Sequence, residues 1–393
     1  MMKLRFHIGL LVLMFVSSNT QSQIDSLAKN LIDSVKSKLL DDDIPQKTFK
    51  DRFMYPHRWY VKQLLAPQTP YYDTNYIRSN KRKLTLTIPV VKKFYGFNFT
   101  DLSTKNTLMF SPNNYYYVGF NFSNIILTFG FYPGIKFGAK PDKGNTSGKD
   151  VQLTVVGRRV ITDVNFQRYA GFYVFNRKDY DITVQNPDLV FIRPDIHVFS
   201  FGVNTMFVFN FRKYSLRGAF SFSDVQRKSA GSFMLGLYHS YMLFNSTDSS
   251  IVNTPLQPSM SPELYDINRI SLITIGLSVG HGYTYVYKKI IVSAVLNLGA
   301  GGQKTNYTTL DSAGHTLSLN PTLHLNAKGS IRYDNQKFFF GFMSTYDNNY
   351  SLNPTLFNTS NYISKIMFFS GYRFNIKKNG RKLLKAMGLV DYN

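Results

Sequence analysis

The stretch ISLITIGLSVGHGYTY, residues 270–285, decides the fold. Ile273, Ile275, Leu277, Val279, Tyr283 and Tyr285 share one parity, with His281 the one polar exception. Thr274, Gly276, Ser278, Gly280, Gly282 and Thr284 share the other. In a strand, successive side chains point to opposite faces. One face is therefore apolar and ends in a tyrosine pair, while the other is small and polar. Tyrosines closing an apolar face match the aromatic girdle at a membrane–water interface.

The same alternation recurs along the chain. In 317–333, Leu319, Leu323, Leu325, Ala327, Ile331 and Tyr333 oppose Asn320, Thr322, His324, Asn326, Lys328, Ser330 and Arg332. In 196–210, Phe199, Phe201, Val203, Phe207 and Phe209 oppose Ser200, Gly202, Asn204 and Asn210. In 362–375, Ile366, Phe368, Tyr372 and Phe374 oppose Lys365, Gly371 and Arg373. Further strands are predicted around 83–100, 114–122, 125–133, 149–156, 159–174, 214–223, 232–243, 288–302 and 336–347. Many exceed the roughly 5–6 residues of a soluble strand and reach the roughly 9–11 that span an outer membrane when tilted.

Tight connections are expected at Gly157-Arg158, Arg212-Lys213 and Asp334-Asn335. Long polar ones are expected at 134–148, 176–194, 244–268, 303–316 and 348–361. Short periplasmic turns alternating with long outer loops is the rule for such barrels. The alternation breaks between 176 and 268, where Leu189 to Ile192 reads as an extra short strand. The fold class is therefore all-β, an antiparallel transmembrane up-and-down barrel of about 12–14 strands with a short N-terminal helix.

Composition agrees. The 393 residues hold 34 Phe and 27 Tyr but 1 Trp, and the mean hydropathy is still slightly polar, −0.18. Many aromatics in a chain polar on average suit alternating faces. With no cysteine, a disulfide framework, thiolate metal sites, thiol catalysis and a lipidated N-terminal Cys are excluded. The formal charge of +23 implies attraction to anionic partners.

The first residues carry Lys3 and Arg5, then an apolar run from Ile8 to Val16 broken by Gly9, then small and polar residues from Ser17 to Ser22. This is the order of a secretory signal peptide, with Thr20 and Ser22 placed for cleavage before Gln23. Ile24, Leu27, Leu31, Val35 and Leu39 then recur at near-helical spacing before Asp41-Asp42-Asp43. At the other end, Lys377, Lys378, Arg381, Lys382 and Lys385 accompany Leu383, Leu384, Met387 and Leu389. That reads either as a basic amphipathic tail on anionic lipid or as a solvated tail. The expected organisation is a signal peptide (1–22), a periplasmic segment with the helix (23–80), the barrel (81–376) and the basic tail (377–393).

No constellation specifies catalysis. The mature histidines, at positions 57, 197, 239, 281, 315 and 324, lack metal-ligand spacing. His239-Ser240 suggests a lipid hydrolase, yet adjacent strand residues point apart and cannot act as a nucleophile–base pair. The run Gly299-Ala300-Gly301-Gly302-Gln303-Lys304 fails the phosphate-loop spacing and reads as a strand end opening into a loop. Arg217, Lys328, Arg332, Lys365 and Arg373 fall on predicted inward faces, with His324 beside them and Asp163 as the clearest acidic counterpart. They form either a basic lumen that favours anions or a packed, hydrogen-bonded interior. Gln226, Arg227, Lys228, Ser229 and Ser232 belong to a polar turn, either a contact for a partner or a structural element.

Several stretches resemble a family of Bacteroidetes proteins catalogued as domain of unknown function 4421. They are YDTNYI (72–77), QRYAGFY (167–173), RPD (193–195), YSLRGAF (214–220), QRKSAGS (226–232) and GYTY (282–285). The resemblance implies an outer-membrane barrel of undetermined activity and carries over no catalytic residue. The expected function is thus a non-enzymatic structural or interaction barrel, or a small anion-preferring pore. A barrel enzyme acting on lipid or lipopolysaccharide and a soluble secreted β-protein that binds an anionic polymer are the competing readings. No cofactor or metal is expected. Expected partners are outer-membrane lipids, lipopolysaccharide and the outer-membrane assembly machinery, not nucleic acid; the oligomeric state is open.

Overall fold

The computed structural model describes residues 72–375, apart from 81–82, 114–115, 124–126, 133–137, 139, 177–189, 248, 254–255, 318 and 353. The expected signal peptide, the helix at 24–40 and the basic tail lie outside the described residues. The strands are β1 (Ile77–Ser79), β2 (Lys83–Asp101), β3 (Thr107–Ser111), β4 (Tyr116–Val118), β5 (Phe120–Ser123), β6 (Leu127–Phe131), β7 (Ser147–Val156), β8 (Val160–Val174) and β9 (Phe191–Val208). A short helix α1 (Leu216–Phe220) and β10 (Asp224–Gln226) follow. Then come β11 (Ala230–Ser246), β12 (Ile267–Tyr287), β13 (Ile290–Thr309), β14 (Gly314–Thr316), β15 (Asn320–Asp334), β16 (Phe338–Ser351) and β17 (Phe357–Asn375).

Antiparallel pairing runs from β2 through β5, β6, β7, β8, β9, β11, β12, β13, β15 and β16 to β17, which returns to β2. That ring has twelve strands. β3 pairs with β2 over Phe97–Thr100 and with β8 over Tyr173 and Val174, so at this end the wall closes on ten strands. A bulge accompanies the narrowing: the β8–β9 register shifts between Ala170 and Phe172. Gly171 between them has φ 85°, and a Cβ there would lie 2.2 Å from the Asn145 carbonyl oxygen. Only glycine fits that left-handed, close-approach position.

The predicted faces hold. Outward Leu277, Val279, Leu298 and Phe368 are 57–64% exposed, while inward Thr274, Ser278, Thr322 and Arg332 are buried. One end carries short turns, and Tyr283, Tyr285, Tyr287, Tyr372 and Phe374 stand exposed near it. Most of the predicted strand positions are borne out.

Four expectations change. Residues 214–223 are not a strand: Ser215 caps α1, its Oγ accepting from the Gly218 amide at 3.0 Å. Arg212-Lys213 lies in a tight turn, the Lys213 amide donating to the Asn210 carbonyl at 3.1 Å, but the turn does not join two wall strands: it opens the 209–229 connection that carries α1 and β10. The expected extra strand at 189–192 is the start of β9, which runs on from Phe191. Gly299 to Gly302 lie within β13, not at a strand end. Gly276, Gly299 and Gly301 face inward there, and the Tyr238 ring lies across them; a Cβ on Gly276 would sit 2.3 Å from its hydroxyl.

Both ends of the lumen are filled by chain. At the loop end, the expected polar loop 244–268 folds inward. It buries Ile251, Val252, Leu256, Met260 and Leu264 against Phe97, Phe110 and Phe244. Asp101 anchors it by accepting from the Ser261 amide and hydroxyl, each at 2.7 Å. Arg193 donates to the Ile251 and Ser250 carbonyls, each at 2.8 Å. At the turn end, the 209–229 connection folds inward, and β10 pairs with β1, so residues 72–79 cap the opening. Phe222 stacks on Phe369 with ring centroids 4.4 Å apart.

Candidate functional site: a polar chamber between two plugs

Between the apolar plug at the loop end and the α1–β10 plug lies a polar cavity of about 230 Å³. The strand alternation that builds the wall also builds the chamber, because inward positions at mid-barrel are Asn, Thr, Gln, Asp and Lys. Lys93, Gln152, Asp163, Asn204, His324 and Lys365 line it, and Leu216 and Phe220 of α1 form part of its floor. Gln167 Oε1, Asn204 Oδ1 and His324 Nδ1 are buried with no hydrogen-bond partner among the described residues. A polar space of this size holds on the order of 15 waters, which satisfy such groups.

Most of the charges in the chamber are paired. Lys328 Nζ donates to Asp163 at 2.8 Å, and Lys365 Nζ to Gln152 at 3.0 Å. Lys93 pairs with Asp150, which Gln167 also reaches at 2.8 Å. His324 Nε2 lies 3.1 Å from Asp347, which accepts from Asn326 at 2.7 Å. The His324 ring sits 4.2 Å from the Tyr238 ring, centroid to centroid. Lys93 and Lys328 thus meet Asp150 and Asp163, Lys365 meets the Gln152 amide, and Asp347 meets His324 and Asn326.

Arg332 and Arg373 hold the turn-end plug to the wall. Arg373 makes a bidentate pair with Asp334, both contacts at 2.8 Å, and reaches the Phe222 carbonyl. Arg332 donates to the Gly218 carbonyl at 2.5 Å and lies 3.3 Å from Asp334. Arg217 is not a wall residue. It lies on α1 within the plug, where Asp224 accepts from its Nε at 2.6 Å and its Nη2 at 3.0 Å. Arg158 adds a third contact to Asp224 at 3.2 Å. Burial pushes the Asp224 carboxyl up, but Arg217, Arg158 and Ser215 outweigh it and hold it below the usual range.

The five expected basic residues therefore do not form one surface. Lys328 and Lys365 face the chamber; Arg217, Arg332 and Arg373 lock the plug. Asp150, Asp224, Asp334 and Asp347, which the sequence reading did not single out, complete the ion pairs.

The polar turn residues divide in the same way. Gln226 is buried; its Oε1 accepts from the Ser215 amide at 3.0 Å and its Nε2 donates to the Lys213 carbonyl at 2.6 Å. Arg227 donates to the Thr74 carbonyl of the cap at 2.9 Å. Ser229 Oγ accepts from the Val286 amide, and Ser232 Oγ from the Asn210 amide, each at 2.9 Å. Lys228 is exposed, its Nζ 5.7 Å from the Tyr76 ring centroid. Among the described residues, no cluster of three or more His, Asp or Glu could hold a metal.

The family described as "Domain of unknown function (DUF4421)" matches residues 71–374. The chain belongs to that family. Stretches that carry the DUF4421 resemblance are the cap (72–77), the bulge (167–173), the loop-plug anchor (193–195), α1 (214–220) and the turn holding β10 (226–232). No curated protein matches the chain. Among solved structures, it is similar to the outer-membrane protein OmpT of Vibrio cholerae, at 7% identity and TM-score 0.24, covering 73% of this chain and 97% of that one. It is also similar to the translocator domain of the autotransporter NalP from Neisseria meningitidis, at 10% identity and TM-score 0.32, covering 82% and 98%. A third is the β domain of the Bordetella autotransporter BrkA, at 11% and 0.30, covering 74% and 99%.

Proposed function

We propose that this chain is a non-enzymatic outer-membrane β-barrel whose lumen is closed at rest, a structural or interaction barrel rather than an open anion-preferring pore. Its partners are then the lipids and lipopolysaccharide around its wall. The single observation that carries this is the pair of plugs with matched charges between them. A conducting, anion-selective lumen needs unpaired cations along an open path. Here Lys93, Lys328, Arg332 and Arg373 each face a carboxylate, and apolar side chains fill the loop end.

Membrane placement is supported by the outward faces. Strands β12 and β13 run 21 and 20 residues, more than the roughly 9–11 needed to span. A closed wall with apolar residues outward satisfies every backbone group without water. The lipid-hydrolase alternative gains nothing from His239-Ser240, since outward Leu235 and Leu237 share the parity of His239. The His324–Asp347 pair lies on the chamber side, away from lipid.

Planar-bilayer recording of the purified full chain tests the proposal. Silence over the usual voltage range is expected from a folded, heat-modifiable protein. A steady anion-selective conductance would overturn it.

A further inference from the structure

The charge of this chain is not spread evenly between the two ends of the barrel. The turn end carries four basic doublets: Arg158-Arg159, Arg212-Lys213, Arg227-Lys228 and Lys288-Lys289. Among its described residues the acids are Asp73, Asp224 and Asp334, and the last two are buried. The loop end is mixed: exposed Lys105, Lys140, Lys149, Arg168, Arg269 and Lys304 stand with Asp142, Glu263, Asp266 and Asp311.

Part of this charge sits on the outer rim: Arg159, Lys288 and Lys289 lie against aromatic rings of the wall, whereas Arg158 turns inward to Asp224 and Arg227 holds the cap. The Arg159 guanidinium lies 4.9 Å from the Phe211 ring centroid and 5.2 Å from that of Phe207. Lys288 and Lys289 lie 5.4 and 5.9 Å from the Tyr287 and Tyr333 rings. Aromatic rings at this height mark the headgroup level, so the charges on them stand where lipid phosphates run. In the turn that leads to the exposed Arg212, a shallow niche opens on the outer wall between Phe209, Phe233 and His281. Phe233 is 72% exposed, and His281 is the one polar residue on the outward face of β12 between Ile273 and Tyr285.

We infer that the turn-end rim is a binding site for anionic glycerophospholipid, with phosphates held by Arg159, Arg212 and Lys289 and an acyl chain against Phe209 and Phe233. The inference rests on the proposed membrane reading and sharpens it. Short turns face the periplasm, so the basic rim meets the phospholipid leaflet and not the lipopolysaccharide one. Aromatic contacts at the rim favour a lipid over a soluble polyanion, which would use the charges alone.

Native mass spectrometry of the detergent-purified full chain, with phosphatidylglycerol or phosphatidylcholine of matched acyl chains, tests this. Phosphatidylglycerol is expected to be retained preferentially. Arg159→Gln, Arg212→Gln and Lys289→Gln are each expected to weaken that preference about fivefold, from the usual strength of one basic residue near an anionic surface. Their side chains accept or donate no hydrogen bond that holds the wall, and Lys105→Gln with Lys140→Gln at the loop end serves as the matched control, expected to change nothing. Equal retention of the two lipids by the native chain overturns the inference. So does a triple variant that keeps the preference, or short-chain polyphosphate that binds as tightly as the lipid without any acyl chain. Failure of the membrane reading is distinguishable: the chain would then not insert into phosphatidylcholine vesicles or show heat-modifiable migration.

Discussion

Asp224→Asn should unseat the turn-end plug while leaving the barrel wall folded. The carboxylate is fully buried and accepts from Arg217 at 2.6 and 3.0 Å, from Ser215 at 3.0 Å and from Arg158 at 3.2 Å. Asn keeps the shape and removes the charge, leaving two guanidiniums buried without a counterion. Breaking one side of a buried pair typically costs about 3–5 kcal/mol. At about 1.4 kcal/mol per decade, that raises the ratio of displaced to seated plug on the order of a hundredfold to several thousandfold. The wall does not absorb the loss, because its long ladders, such as the β12–β13 pairing from Ile267 to Tyr287, do not pass through the plug. Hydrogen exchange of 216–226 in the detergent-solubilised chain should accelerate, with heat-modifiable migration unchanged. Replacing the whole cluster (Arg158→Met, Arg217→Met, Asp224→Leu) removes the orphaned charges and should restore most of the protection. Unchanged exchange in Asp224→Asn, or a triple variant as labile as the single one, would refute the reasoning.

The same carboxylate sets an acid limit. Its folded pKa is depressed below the ordinary Asp value of 3.8. Its contribution is therefore complete above that value and is lost as pH falls through the lower, folded one. Plug protection should be flat from neutral pH down to the ordinary Asp range and decline only below it. A decline beginning near neutral pH would assign the anchor to another group.

Three further outcomes follow from the geometry. Leu277→Arg, at the middle of the apolar face of β12, should destabilise the membrane-inserted barrel by about 2–4 kcal/mol in reversible urea unfolding, and Tyr287→Arg at the girdle by about 0–1; equal costs would contradict the assigned depth. Gly276→Ala places a Cβ 2.3 Å from the Tyr238 hydroxyl and 2.6 Å from the Ala300 carbonyl oxygen, and overpacking of this kind should cost about 1–3 kcal/mol in the same assay, much of it relieved by Tyr238→Ala. Asp224→Asn and Asp101→Ala should each remain silent in planar bilayers, because the other plug still seals the lumen, while the double variant should conduct; conductance in either single variant would show that one plug carries the seal alone.

What could be read from the sequence was what period two encodes. Parity placed Leu277, Phe207 and Phe368 outside and Thr322, Lys328 and Arg373 inside, because each strand meets lipid on one side and polar groups on the other. Parity carries no information on segments that leave the wall. YSLRGAF reads as a strand by its apolar content, yet it turns into α1 because Ser215 caps it and the lumen supplies Asp224 for Arg217. The 244–268 connection looks like an outer loop by its Ser, Asn and Asp content. Its Ile251, Val252, Leu256, Met260 and Leu264 were the available signal that it packs, since an exposed loop has no use for five apolar side chains. Asp150 and Asp347 were legible in principle, each sharing the inward parity of its strand with Gln152 and Thr345. Their pairing was not: Lys93 lies on a strand far from Asp150 in sequence, and His324 meets Asp347 on the neighbouring strand only through a diagonal contact that depends on the register.

The positive charge of the chain therefore has to be divided before it can be interpreted. The inward cations are paired: Lys93 with Asp150, Lys328 with Asp163, and two arginines sharing each plug carboxylate, Arg217 and Arg158 on Asp224, Arg332 and Arg373 on Asp334. These pairs fix the plugs and absorb most of the inward charge, so the larger part of the excess lies elsewhere. Within the described residues it concentrates at the turn end, on exposed cations such as Arg159, Arg212, Lys288 and Lys289, where it acts on what lies beside the barrel rather than on what passes through it. A field placed outside the lumen argues against ion selectivity and for surface attachment. Of the six stretches that carry the family resemblance, five lie at the cap, the bulge, the plug anchors, α1 and β10, and one, GYTY, in the wall: in a barrel that is closed, the residues that keep it closed carry as much of the design as the wall itself.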